Sequence, residues 1–248
     1  METRTIALFD VDGTLTPARK PMLPDMIDWL KKVMDTGVEV GVVSGSDYAK
    51  ICEQLGKDVV DKMQYAFFEN GWVFMKYGEI VKTTSVEEKL GADKLKTLIN
   101  YWLHYIADLD IPIKRGTFVE YRTGLLNVSP IGRNCSYDER VEFFEQDKES
   151  GVRTTMKKAL EEEFKDYDIT ISIGGQISMD IFPTGWDKRF CLQYLEGDFG
   201  KIHFYGDRTS EGGNDHEIYE DERTIGHSVT GPDDTINQLT QEFLNNSS

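Results

Sequence analysis

Thr5-Ile6-Ala7-Leu8-Phe9-Asp10-Val11-Asp12-Gly13-Thr14-Leu15-Thr16 is the stretch from which the rest of the chain can be read. Its first five residues lean apolar without alternating, as in a parallel strand covered on both faces. The run ends in two carboxylates two positions apart, and side chains with that spacing on an extended segment point the same way. Asp10 and Asp12 are therefore expected to converge. Such a pair repels unless a proton or cation is held between its members, and Mg2+, which prefers hard oxygen ligands, is the natural cation. An Asx turn or helix cap accounts for one aspartate but not for a pair behind a buried strand.

Working outward, residues 22–33 carry apolar side chains at helical spacing, and 38–43 form a second apolar run closed by Ser44-Gly45-Ser46, giving β-α-β. Further strands are expected at 65–68 and 201–205, the latter leading into Gly206-Asp207, with a short hairpin within 71–81. Strands alternating with helices predict a doubly wound, Rossmann-like α/β core with functional groups at the carboxyl ends of its parallel strands.

The middle of the chain reads differently. An amphipathic stretch at 86–107 precedes two alternating runs, 117–121 and 125–128, joined by Thr123-Gly124. Helical patterns follow at 138–147 and 152–164, then a second hairpin of 169–173 and 177–181 turning at Gly174-Gly175. Two helix-plus-hairpin units predict an inserted α+β cap domain built on a four-stranded antiparallel sheet, over 82–184, with the core in two parts, 1–81 and 185–248. In the second hairpin Ile177, Met179 and Ile181 fall on one face, expected to meet the cap's helices, and Gln176, Ser178 and Asp180 on the other.

Composition sets limits on partners. Of 248 residues, 39% are hydrophobic and 29% charged, the balance of a folded globular chain. The formal net charge of -16, from 44 acidic and 28 basic residues, repels nucleic acid and anionic membrane surfaces. A small anionic substrate must then be held locally, by arginines or a metal. Cys52, Cys135 and Cys191 lack the spacing of a zinc site or disulfide framework, and His104, His203, His216 and His227 show no ligand pattern. No apolar run reaches the length of a membrane span and no leader pattern opens the sequence, so a cytoplasmic protein is expected.

Asp10-Val11-Asp12-Gly13-Thr14 resembles the D-x-D-G-T signature of the haloacid dehalogenase superfamily, and that superfamily's other parts follow in order. Ser44 resembles its Ser/Thr phosphate ligand, with Ser46 near enough to compete for the role. Lys188, after Gly185-Trp186-Asp187, resembles the lysine that neutralises nucleophile and phosphate. Asp207 looks like the metal-binding acid, with Asp215 in Gly212-Gly213-Asn214-Asp215 a second acid nearby. Singly these are a surface charge, a cap and a turn residue; together they imply a mechanism. Asp10 attacks phosphorus, Lys188 and Mg2+ offset developing charge, and Asp12 serves as general acid and base.

Longer strings resemble the eukaryotic-type phosphomannomutases: Arg115-Gly116-Thr117-Phe118-Val119-Glu120-Tyr121-Arg122, Leu126-Asn127-Val128-Ser129-Pro130-Ile131-Gly132-Arg133, Gly174-Gly175-Gln176-Ile177-Ser178-Met179-Asp180 and Gly212-Gly213-Asn214-Asp215-His216-Glu217-Ile218. The resemblance implies interconversion of mannose 6-phosphate and mannose 1-phosphate for GDP-mannose synthesis and protein glycosylation, with a hexose 1,6-bisphosphate as activator and intermediate. Arg122, Arg133 and Arg140 match positions that bind the distal phosphate, Arg19 matches another substrate ligand, and Ser178 and Asp180 match residues that bind sugar hydroxyls. Tyr219, Asp221 and Thr224 match a second cation site. The bland readings are salt bridges on an acidic surface for the arginines, the solvated face of a sheet for the hairpin, and a solvated acidic loop for 219–224.

The resemblance also implies a homodimer through the cap and a hinge near residues 82 and 184, whose closure would exclude water from an aspartyl-phosphate. A sugar-phosphate phosphatase, or a glucose 1,6-bisphosphate phosphatase, would use the same core motifs. A catalytically silent sugar-phosphate-binding protein would be free to lose Asp10, Asp12 or Lys188, and all three are present.

Overall fold

Thr5–Phe9 forms strand β1, from which the chain runs through α1 (Pro24–Asp35), β2 (Glu39–Val43), α2 (Tyr48–Leu55), α3 (Lys57–Val60), β3 (Tyr65–Phe68), β4 (Val73–Lys76) and β5 (Glu79–Thr83). Then come α4 (Val86–Leu90), α5 (Ala92–Asp108), β6 (Val119–Tyr121), β7 (Leu126–Val128), α6 (Tyr137–Ser150), α7 (Val152–Glu163), β8 (Ile169–Gly174) and β9 (Ser178–Pro183). The chain closes with β10 (Lys201–Gly206), α8 (His216–Tyr219), β11 (Ile225–Ser228) and α9 (Pro232–Leu239). The computed structural model describes residues 4–17 and 20–245. It divides into two compact units, one made by the chain up to Thr83 and from Gly185 onward, the other by Thr84–Thr184.

The first unit is built on a seven-stranded sheet in the order β11-β10-β1-β2-β3-β4-β5. The pairs from β11 to β3 are parallel, while β4 and β5 add an antiparallel edge. This is the doubly wound α/β core the sequence predicts. β1 is the middle one of the five parallel strands, and its side chains are buried on both faces. Ala7 and Phe9 pack with Met26, Leu30 and Val33 of α1, while Ile6 and Leu8 pack with Cys191, Leu192 and Leu195. The chain leaves β1 toward β2 on one side and pairs with β10 on the other, the arrangement that opens a crevice at the strands' carboxyl ends.

One boundary differs from the sequence reading. α1 begins at Pro24 rather than near residue 22, because Leu23 is extended and proline takes the first helical position, where no N–H is needed. The β4–β5 hairpin turns on Tyr77 and Gly78, both at positive φ (49° and 80°), as a two-residue turn matched to strand twist requires.

The second unit carries a four-stranded antiparallel sheet in the order β6-β7-β9-β8, the α+β arrangement expected of the insertion. Leu126, Val128, Ile171, Met179 and Ile181 cover one face and pack with Leu95, Leu98, Trp102 and Ile106 of α5 and Met156 and Leu160 of α7. The amphipathic stretch forms two helices. Ser85 and Glu88 form a capping box at the start of α4, and Gly91, at φ 85°, ends it with its N–H on Glu87 O before α5 begins. On the face opposite the core, register sets Glu120 beside Asn127, Asn127 beside Asp180 and Asp180 beside Ser172, a polar row across the sheet. Among the described residues no helix is long and apolar enough to cross a membrane.

Candidate active site

Parallel register decides which residues meet at the carboxyl edge of the first unit. Phe9 is level with Tyr205 on one side and Val42 on the other. Asp10 therefore leaves the sheet beside Gly206, with Asp207 one residue beyond, and Ser44 one residue beyond the matching level of β2. The Asp10 N–H donates to Tyr205 O at 2.9 Å and the Ser44 N–H to Phe67 O at 2.9 Å, so both residues are fixed by the last ladder bonds of their strands.

Lys188 reaches the same place from a different part of the chain. It opens a 3-10 helix, Lys188–Tyr194, whose start is capped by Asp187 accepting from Arg189 N. Its side chain is only 1% exposed, and Nζ donates both to Asp10 Oδ1 and to Asp215 Oδ1, the latter at 2.5 Å. Asp215 is wholly buried, and its second oxygen accepts from Arg208 N at 3.1 Å.

Burial is the largest influence on these groups. It pushes the Asp10 carboxyl above the ordinary range, helped by the negative charge of Asp215 and opposed by Lys188. Burial works to lower the Lys188 pKa, but Asp10 and Asp215 outweigh it and hold the ammonium charged, above its usual value. Asp207 is likewise raised, by burial and then by Asp215.

Asp10, Asp207 and Asp215 each offer an oxygen, and these lie within 4.8 Å of one another. Asp207 Oδ1 is buried without a hydrogen-bond partner. Three carboxylates against one ammonium leave a buried excess of negative charge made of hard oxygen donors, which fits a divalent cation. The cluster depends on Gly13, at φ 84°: a Cβ there would run into the Asp207 carboxylate.

Asp12 stands apart from this cluster, contrary to the expectation that its side chain converges with that of Asp10. The extended segment ends at Phe9 and a turn begins at Val11, so the alternation rule that aligned the two carboxylates no longer applies. Asp12 Oδ1 instead accepts from Gln54 Nε2 at 2.6 Å, and Lys50 Nζ lies 4.0 Å from Oδ2. Lys50 and Gln54 are four residues apart on α2 and so share one face. Nothing in a single sequence singles out Gln54, because a glutamine in a helical pattern carries no motif.

Ser44 is buried, and its Oγ accepts from Ser46 N at 3.1 Å, keeping its own proton to donate. Ser46 is less buried and accepts from Glu69 N through its main-chain oxygen. Arg19 lies outside the described residues.

A second polar group belongs to the inserted unit. Glu120 Oε2 accepts from Arg122 Nε at 2.8 Å and lies 3.3 Å from Arg133 Nε. Arg133 Nη1 donates to Asn127 Oδ1 at 2.5 Å, and Asn127 Nδ2 donates to Asp180 Oδ1 at 2.6 Å. Arg122, Arg133 and Asp180 are thus brought into one network through Glu120 and Asn127, two residues the sequence reading did not single out. Asn127 is found by register, being the strand position that faces away from the core between Leu126 and Val128. Arg140, on α6, is outside this network. The Ser178 hydroxyl is buried and donates to Gly174 O at 3.2 Å.

In the loop expected to hold a second cation, the Asp221 carboxylate is engaged by Arg223, whose Nε and Nη2 both lie 2.7 Å from it. Thr224 Oγ1 donates to Ile218 O and Asp221 O, and Tyr219 N donates to Asp215 O. The loop supplies its own counter-charge. Among the described residues, Asp10, Asp207 and Asp215 are the group of three carboxylates close enough to share an ion.

Comparison with known proteins gives a consistent picture. Residues 26–245 match the family described as eukaryotic phosphomannomutase. A phosphomannomutase of Nicotiana benthamiana is 58% identical over 239 residues, covering 96% of this chain and 94% of that protein. One of Arabidopsis thaliana is also 58% identical, covering 96% of each. Among solved structures, the trehalose-6-phosphate phosphatase of Aspergillus fumigatus aligns over 99% of this chain and 94% of its own with a TM-score of 0.59 at 18% identity. The IMP-nucleotidase of Plasmodium falciparum aligns over 96% of this chain and 68% of its own with a TM-score of 0.59 at 15% identity. At those identities the likeness is one of fold.

Proposed function

The chain belongs to the eukaryotic phosphomannomutase family, isomerases that interconvert mannose 6-phosphate and mannose 1-phosphate, and within that activity we propose that Asp10 is the residue that carries the phosphoryl group. The observation behind this reading is the buried ammonium of Lys188 held against Asp10 and Asp215, with Asp207 alongside. A carboxylate in that position is an acceptor whose charge, and that of an incoming phosphate, can be offset without water.

In the proposed course an Asp10 oxygen forms a bond to phosphorus while the bond from phosphorus to the sugar oxygen breaks. Asp12 gives that oxygen its proton. The reverse transfer, to the other end of the sugar, has Asp12 take the proton from the attacking hydroxyl. Ser44 donates to a phosphate oxygen, and Lys188 balances charge. Asp10, Asp207 and Asp215 would hold Mg2+, which when bound supplies further positive charge to the phosphoryl oxygens. A hexose 1,6-bisphosphate primes Asp10 and is the intermediate of each cycle.

Arg122, Arg133 and Arg140 bind the distal phosphate, Arg19 is a further substrate ligand, and Asp180 and Ser178 meet sugar hydroxyls. Arg122 and Arg133 are gathered at one glutamate, two guanidinium groups held together in a chain of net charge -16, and this supports the assignment. On the strength of the family resemblance we place the reaction in the cytoplasm, in a homodimer assembled through the inserted unit, supplying GDP-mannose for protein glycosylation.

The deciding experiment follows mannose 1-phosphate, Mg2+ and a trace of hexose 1,6-bisphosphate by phosphorus NMR. Conversion to mannose 6-phosphate with little free phosphate, abolished in Asp10→Asn, is expected. Free phosphate as the main product would replace the mutase cycle with a phosphatase.

A further inference from the structure

Asp12 sits in a segment whose main chain is closed on itself. Val11 O accepts from the N–H groups of Thr14, Leu15 and Thr16 and from Thr16 Oγ1, and Gly13 N donates to Thr16 O at 2.8 Å. Thr14, Leu15 and Thr16 are wholly buried. With the backbone fixed in this way, the Asp12 carboxylate is oriented by its side-chain contacts, among them Gln54 at Oδ1 and Lys50, 4.0 Å from Oδ2.

We propose that Gln54 is a positioning residue for the proton-transferring carboxylate, fixing its Oδ1. Its Nε2 donates to Asp12 Oδ1 at 2.6 Å, a close contact with a charged acceptor. Gln54 is itself immobilised. It is 8% exposed, it sits on the last turn of a helix capped by Asp47, and its carbonyl accepts from Met22 N at 2.8 Å. One oxygen of Asp12 is thereby pinned, and Oδ2 is set in the orientation from which a proton is exchanged with the sugar oxygen.

A second observation favours a working amide over a packing residue. Gln54 Oε1 is buried without a hydrogen-bond partner, and burying an unsatisfied amide oxygen is unfavourable. Leucine or methionine would fill the same space without that cost. The amide is justified by the donor at its other end.

The inference rests on Asp12 acting as general acid, and the test separates the two. In the Mg2+-loaded enzyme, single-turnover phosphorylation of Asp10 is measured from two donors. Hexose 1,6-bisphosphate releases a sugar hydroxyl, which needs a proton as the bond from phosphorus to oxygen breaks. Acetyl phosphate releases acetate, which leaves without one. Gln54→Met, and Gln54→Glu as the variant of matching shape, should each lose about 10–100-fold with the bisphosphate, a part of the full contribution of a general acid. Both should stay within about 2-fold of the parent with acetyl phosphate, with thermal midpoints little changed.

Asp12→Asn should show the same selectivity, larger in size. Equal losses with both donors in the Gln54 variants would mean a structural role and overturn the proposal. Loss in Asp12→Asn alone would overturn it while leaving the general acid in place. Equal losses in Asp12→Asn would remove the general acid, and the role of Gln54 with it.

Discussion

Lys188 Nζ lies 2.5 Å from Asp215 Oδ1, and the same ammonium is bonded to Asp10, so one buried cation holds two buried carboxylates. Replacing it with methionine leaves two negative charges facing each other without water. Breaking a buried ionic group by removing one partner costs about 3–5 kcal/mol. Lys188→Met is expected to lower the thermal midpoint clearly and to reduce turnover by about a thousandfold, the scale on which losing a preorganised charge acts. Thermal unfolding and steady-state rates on the same preparation check both effects.

Asp207 should behave in the opposite sense. Its carboxyl is raised by burial and by Asp215, which marks it as a strained charge in the metal-free protein. Asp207→Asn is expected to raise the thermal midpoint of the chelator-treated protein, by about 0.5–2 kcal/mol of stability, while removing activity and the stabilisation that added Mg2+ gives the parent. A fall in the metal-free midpoint would show that the carboxylate is structurally required.

A pH dependence of stability is expected from His203 and His227, whose rings stack at 5.2 Å with Nδ1 of the first 2.9 Å from Nε2 of the second. Burial, with the charge of His227 adding to it, pulls His203 down to about 4 from an ordinary 6.5. Burial lowers His227 as well. Between those values the unfolded chain binds more protons than the folded one. Stability is therefore whole above about pH 6.5 and lost as pH falls toward 4, by about 1–3 kcal/mol. Denaturant melts across this window should lose most of that slope in His203→Asn.

In the inserted unit, Arg133→Gln removes one charge from the group around Glu120. A charge-assisted phosphate contact contributes roughly 1.5–3 kcal/mol. KM for mannose 1-phosphate should rise about 10–100-fold with little change in the phosphorylation of Asp10 by acetyl phosphate. An unchanged KM would assign Arg133 to holding Asn127 alone.

Much of this molecule is legible in its sequence because burial on two faces leaves an unmistakable trace. Ile6, Ala7, Leu8 and Phe9 form an unbroken apolar run and are all fully buried. Alternation in 177–181 likewise sorts Met179 and Ile181 into the core and Asp180 out of it. What escapes is set by single dihedrals or by contacts across long separations. The divergence of Asp12 from Asp10 follows from a strand that ends at Phe9, before the two aspartates the parity argument needs, and the break at Gly91 from one residue at positive φ in an otherwise helical pattern. Gln54 meets Asp12 across 42 positions, which periodicity cannot register. Asn127 could be found only once the strand pairing was known.

The strand order has a consequence for biosynthesis. β1 is made long before β10, its neighbour on one side, and until Lys201–Gly206 leaves the ribosome that edge of β1 has no partner. Most of the chain, including the whole inserted unit, is synthesised while an apolar edge stands open to pairing with other chains. Asp10 waits nearly as long for its buried counter-charge, since the segment that brings Lys188 arrives only after the insertion is complete. A nascent chain stalled before Gly185 is thus both aggregation-prone and chemically inert, and its last quarter supplies the cure for both.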